Sequence, residues 1–243
     1  MSATASWITA ASTGTHDYGA ALAGPGSFGV LFDSCRFEGN GDEGIHFGGP
    51  FNNGATNPNR VTHSVAMNNV AEGFYLLNAN NVELDMNMAA GNTAGLYVKQ
   101  SPNVVVSHLT VTGDYVHLYG NSDGGRYSWI SITGGRLKLQ KDPGTKGVPN
   151  DNTFDHVCVS YDPASGAPDS AYYFEGVTSG ANQFTNSAAK QIAGKTHVTA
   201  IGSSTGNIMS SLYIQPAALR TSIDGTSSFA TLTTQSTSPP LCY

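Results

Sequence analysis

Three acidic residues, Glu43, Glu72 and Asp114, each lie three positions before an aromatic ring, those of His46, Tyr75 and His117, and Ala94 stands in the same relation to Tyr97. Rings ranked beside carboxylates suit recognition of a polar polymer, because rings stack on the apolar faces of sugars and carboxylates accept hydroxyl hydrogen bonds. The same groups could hydrolyse a glycosidic bond. That reaction needs two carboxyl groups, about 5–5.5 Å apart for retention or about 6.5–9.5 Å for inversion, and Glu43 with Glu72 would suit the shorter spacing on neighbouring turns of a repeating chain. Two carboxylates that close raise each other's proton affinity, which keeps an acid protonated at neutral pH. Asp42 is an alternative partner, and His46 could serve as acid, base or hydroxyl donor. In a lyase, His46 or Tyr75 would take the proton beside a uronate carboxyl that Arg60 or Lys99 neutralises. Tyr75, Tyr97, His117 and Asp42 are thus candidate substrate contacts, and Tyr173 and Glu175, in "YYFEG", form a second set on a loop. The rings have another possible use, as a structural ladder or a contact between subunits.

What would align these residues is a repeat. Phe74 and Leu96, Tyr75 and Tyr97, Asn81 and Asn103, and Val82 and Val104 are each 22 apart, and Gly73 falls on Gly95. "GIHF", "GFYL" and "GLYV" are copies of one element, and "YVHL" is a fourth in which Tyr115 replaces the glycine. Strand alternation turns Ile45, Phe47, Phe74, Leu76, Leu96, Val98, Val116 and Leu118 inward and His46, Tyr75, Tyr97 and His117 outward. Second strands such as "RVTHSVAM" and "NVVVSHLTV" lie between, bounded by Asn, Gly and Pro turns such as "QSPN". The best helical stretch, residues 186–195, is a turn or two at most. Such units bury their apolar sides only by stacking. The expected fold is therefore all-β, a single-stranded parallel β-helix, in which outward residues of successive coils lie about 4.8 Å apart and Asn81 and Asn103 bond along the axis. A jelly roll or sandwich also gives short strands, but no reason for a constant offset.

Composition agrees. Charged residues are 12% and glycines 29 of 243, which fits a turn-rich β protein, while 39% hydrophobic residues oppose disorder. A formal charge of -6 without a basic run excludes a phosphate-tracking surface, so no nucleic-acid partner is expected. The start "MSATASWITAASTG" lacks a basic and apolar leader, and no segment has the about 18 apolar residues of a membrane span, so no membrane insertion is expected. Cys35, Cys158 and Cys242 form no disulfide framework and no metal spacing, and the first two read as small buried hydrophobes. No cofactor and no metal are expected.

"EGNGDEGIHF", "NNVAEGFYLLNANNVELDMN" and "GNTAGLYVKQSPNVVVSHLTV" resemble the rungs of right-handed, pectate-lyase-like β-helices. With the Gly/Ser/Thr-rich flanks, the chain resembles the receptor-binding or depolymerase part of a bacteriophage tailspike. That resemblance implies a homotrimer, located on the virion tail or outside the cell, that binds or cleaves bacterial surface polysaccharide. The aspartate-rich calcium constellation and catalytic Arg of pectate lyases are absent from the pattern, and that activity is not carried over. A non-catalytic spike, or an adhesin from a cell, is the alternative.

Residues 1–27 read as an N-terminal cap, an incomplete first coil or a neck, 28–215 as the β-helix, and 216–243 as a cap, an inter-chain segment or a tail. Residues 139–152 and 160–176 read as projecting loops, where recognition often sits. Asp33, Glu83 and Asp85 read as solvated, Asp142, Asp162 and Asp169 as turn formers, and His63, His108, His156 and His197 as structural.

Overall fold

A computed structural model describes residues 3–6, 8–11, 17–51, 57–144, 147–160, 169–178, 181–190, 195–215 and 218–235. Asp162 and Cys242 lie outside the described residues. Within them, strands pair in parallel and form two sheets, of nine and fifteen strands. The nine-strand sheet runs in chain order through Ala20–Ala23, Ile45–Gly48, Glu72–Leu77, Ala94–Lys99, Tyr115–Tyr119, Leu137–Gln140, Ser170–Glu175, Thr196–Ile201 and Thr221–Ile223. Each coil thus adds one strand to it, which is the expected β-solenoid.

The eight residues assigned inward by alternation are all fully buried. Burial of each such side chain contributes about 1.5–3 kcal/mol relative to exposure. In the later coils the core aromatics stack, with Tyr127 on Phe154 at 4.8 Å and Phe154 on Phe184 at 4.2 Å.

The fifteen-strand sheet turns a corner within single strands. Val105–Thr112, Arg126–Thr133 and Thr153–Ser160 each bend at one residue, His108, Trp129 or His156, whose φ is +51°, +55° or +54°. A tryptophan in the left-handed region is uncommon. Here it is held between His108, 6.2 Å away, and His156, 4.0 Å away, with nearly parallel rings.

A second turn is held by amides. Asn40 donates through Nδ2 to Asn69 Oδ1 at 2.7 Å, Asn69 to Asn92 Oδ1 at 2.8 Å, and Asn92 to Asp114 Oδ2 at 2.9 Å. Each acceptor also takes the backbone N–H of its donor's residue, at 3.0–3.1 Å. Buried amides cost free energy unless bonded, and this chain bonds them coil to coil. Asn81 and Asn103, expected to bond axially, link coils through their backbone N–H groups, to the carbonyls of Pro102 and Asp123. Both sit at positive φ, where asparagine is among the better-tolerated residues.

Parallel pairing runs into both terminal segments, where Ala3–Ser6 pairs with Val30–Asp33, as an incomplete first coil would, and Phe229–Gln235 pairs with Asn207–Gln215. Other expectations are corrected. Leu137–Gln140 and Ser170–Glu175 are sheet strands, although they fall partly or wholly in stretches read as loops. Residues 188–190 are a strand, not part of a helical turn. Cys158 is disulfide-bonded rather than a plain buried thiol, whereas Cys35 is free and buried.

Candidate functional site

The outward residues of the nine-strand sheet stand in register. His46 pairs with Tyr75, Tyr75 with Tyr97, and Tyr97 with His117. Ring centroids follow at 5.0, 5.4 and 4.6 Å, and Tyr18 adds a further ring 5.0 Å from His46. The column continues through Lys138, Tyr173 and Thr199. Tyr173 therefore belongs to the same face as the other rings, and Glu175 joins an adjacent outward column beside Gln140 and Tyr119. The second set of candidates is not a separate loop site.

Stacking changes how these rings meet a ligand. Tyr97 and His117 are parallel within 2°, so each covers a face of the other. What they offer outward is ring edges and a phenol hydroxyl, because Nε2 of His117 is buried. Burial, then the charges of Tyr119, Glu72 and Asp142, pushes the Tyr97 phenol up to about 12. Burial pushes Tyr75 up further still, assisted by Tyr97 and the nearby glutamates. Burial, then Lys138, holds His117 down to about 3. At neutral pH the centre of the column is thus a ladder of uncharged groups able to exchange hydrogen bonds with hydroxyls.

At its early end the column meets carboxylates. Glu43 is buried, with Oε1 3.5 Å from His46 Nδ1. That contact lacks hydrogen-bond geometry, because His46 Nδ1 and Glu43 Oε2 both remain without a hydrogen-bond partner. Glu72 lies in the next coil, its carbonyl accepting the N–H of Gly44. Burial raises the Glu72 pKa, with further increases from Glu43 and Asp42 that the nearby His46 partly opposes. Glu43, Glu72, Asp42 and His46 are therefore one electrostatic group.

Asp114 is not in it. Ala94 pairs with Tyr115 and Leu96 with Val116, so Gly95 has no counterpart in the next strand. That register shift leaves Asp114 in the turn, where it ends the asparagine ladder at 1% exposure. Burial raises its pKa, and the hydrogen bonds from Asn92 and Gly91 work against that rise. Asp114 is a structural acceptor with no access to a ligand on the column.

Of the two cations considered for charge neutralisation, Arg60 is on the other sheet, bonded to Glu83 at 2.6 Å. Lys99 is on the nine-strand sheet, 5.8 Å from the Tyr119 ring. Sequence reasoning passed over Arg136 and Lys138, although "GRLKL" repeats the alternation of the earlier elements 21 positions after "VHL". The acids read as solvated are paired. Asp33 contacts His63 Nδ1 and Asp85 contacts His108 Nδ1, both at 3.0 Å. His156 and His197 are likewise held, by Asp155 and by the backbone of Gln215 and Arg220. Asp142 accepts from Tyr119, Gln100 and Gly144, and Asp169 pairs with Lys195.

Linkage gives a test of the acidic group. A carboxyl whose folded pKa exceeds its unfolded value binds more protons in the folded state, so stability falls as pH rises through the interval between them. For Glu72 that interval begins near its ordinary value of 4.5. Glu72→Gln, which cannot ionise, is expected to gain stability relative to the parent as pH rises above that ordinary value. Urea denaturation across that range measures the difference, and a difference independent of pH would contradict the assignment.

Among known protein families, the one described as right handed beta helix region matches residues 5–134, more than half of the chain. No curated protein and no solved structure matches.

Proposed function

The chain belongs to the right-handed β-helix family, and on that premise we propose that it recognises a bacterial surface polysaccharide along the outer face of its nine-strand sheet. The observation that carries this reading is the in-register column of Tyr18, His46, Tyr75, Tyr97 and His117, uncharged through its centre and flanked by Asp42, Glu43 and Glu72. Such a face runs across nine strands, as a polymer needs. It offers hydroxyl-matching donors and acceptors at a repeat of about 4.8 Å. The setting that goes with the proposal is that of a homotrimeric phage tail spike, exposed on the virion, and its support is the resemblance of the rungs.

Hydrolysis is a second reading, favoured by the raised pKa of Glu72 beside Glu43. Glu72 would protonate the leaving oxygen, and Glu43 would act as nucleophile or base. Incubation with a panel of capsular and O-antigen polysaccharides tests both readings. Retention in affinity electrophoresis is the expected result for binding, and new reducing ends that vanish in Glu72→Gln are expected for hydrolysis. Unsaturated uronate products would point to elimination instead. Neither retention nor cleavage across the panel would leave the column a structural ladder.

A further inference from the structure

Arg136 is unusual among the charged residues of the nine-strand face. Its guanidinium carbon lies 5.2 Å from the Tyr115 ring centroid and 5.1 Å from that of Tyr173. Its Nε is buried without a hydrogen-bond partner, and an acid acting on it, Asp169, is itself paired with Lys195. A guanidinium carries five N–H donors in a rigid fork, and stacking between two rings fixes that fork in place without using them. Lys138, on the next outward position, lies in register between His117 and Tyr173. Its Nζ is 5.4 Å from the Tyr173 ring and 3.4 Å from Glu175.

We propose that Arg136, with Lys138, forms an anion-recognising subsite that takes the carboxylate of an acidic sugar. This rests on the glycan-binding reading above and narrows it to polymers carrying a uronate-like residue. The local charge supports a carboxylate over a phosphate. Glu175 offsets Lys138 and Lys195 offsets Asp169, so Arg136 leaves one net positive charge, which matches one carboxylate better than a phosphate bearing about 1.5 to 2 negative charges. The fork of the guanidinium fits a carboxylate edge with two parallel hydrogen bonds. The column is also polar along its length. Asp42, Glu43 and Glu72 occupy the end near His46, four coil steps or about 19 Å from Lys138. An acidic residue is repelled there and attracted here, so the polymer binds in one direction, with a neutral sugar over Glu72.

NMR titration of the full chain, isotopically labelled, tests this with glucuronate, its methyl ester, glucose and inorganic phosphate as probes. Glucuronate is expected to shift the Arg136 Nε–Hε resonance and to bind about tenfold or more tightly than the ester. Arg136→Gln is expected to abolish that preference, and Arg136→Lys to keep only part of it. Because acid and ester are compared on the unaltered protein, the test does not depend on either variant folding. Equal binding of acid and ester, or tighter binding of phosphate than glucuronate, would overturn the subsite. If sugars shift the ring resonances of Tyr75 and Tyr97 while Arg136 does not respond to glucuronate, this inference fails and the glycan-binding reading stands. If no sugar shifts any resonance of the column, both fail.

Discussion

Phe184→Ala is expected to lower the stability of the fold by about 3–5 kcal/mol, the cost of truncating a large aromatic in a packed core. Phe184 is buried at 1% exposure, stacked on Phe154 at 4.2 Å, and edge-on to Tyr172 and Phe174 at 5.8 and 5.7 Å. Its removal opens a cavity beneath the coils that follow. For a chain of this size each kcal/mol moves the melting temperature by about 2–4 °C, so a fall of roughly 10 °C is expected in thermal denaturation. Coils in a solenoid are stabilised by their neighbours, so the loss spreads to the coils on either side. A loss below about 1 kcal/mol would show that these rings do not pack as described.

Tyr97→Ala is expected to weaken polysaccharide binding by about thirty-fold or more, corresponding to about 2 kcal/mol for a central aromatic contact. Tyr97 is the hinge of the column, with ring contacts to Tyr75 at 5.4 Å, His117 at 4.6 Å and Tyr119 at 6.2 Å. Its truncation removes a hydroxyl and also frees the neighbouring rings to move. The aromatic contacts it loses are each worth about 0.5–1.5 kcal/mol, so the variant remains folded at a reduced melting temperature. Tyr97→Phe keeps the stack and loses only the hydroxyl, and is expected to fall between the two. Affinity electrophoresis with thermal denaturation of each variant separates binding from stability. Parent-like retention by Tyr97→Ala would assign the ring a structural role.

The fold was legible because its coil length stayed constant where the sequence was easiest to read. The offset of 22 between Tyr75 and Tyr97 equals the pairing in the structure, and strand alternation around it sorted inward from outward residues. Legibility failed where the offset changed. Lys138 follows His117 by 21 positions, but Tyr173 follows Lys138 by 35, so this coil is longer in sequence than the one before it. With a constant offset, "YYFEG" reads as a loop. Asp114 was misplaced for a subtler reason. It keeps the three-residue spacing to the ring that Glu43 and Glu72 show, but one unpaired residue, Gly95, shifts the register and turns its side chain into the amide ladder. Spacing along the chain cannot report such a bulge. Arg136 carried a signal in its alternation with Leu137, yet nothing local showed that Tyr115 and Tyr173 would close on both sides of it.

Aromatic NMR of the full chain, with and without a polysaccharide retained from the panel, shows whether glycan binds the face bearing the ring column. Ring resonances of Tyr75, Tyr97 and His117 are expected to shift together, while those of Trp129 and His108, on the corner of the fifteen-strand sheet, stay in place. Shifts confined to that corner, with the column unmoved, would contradict it.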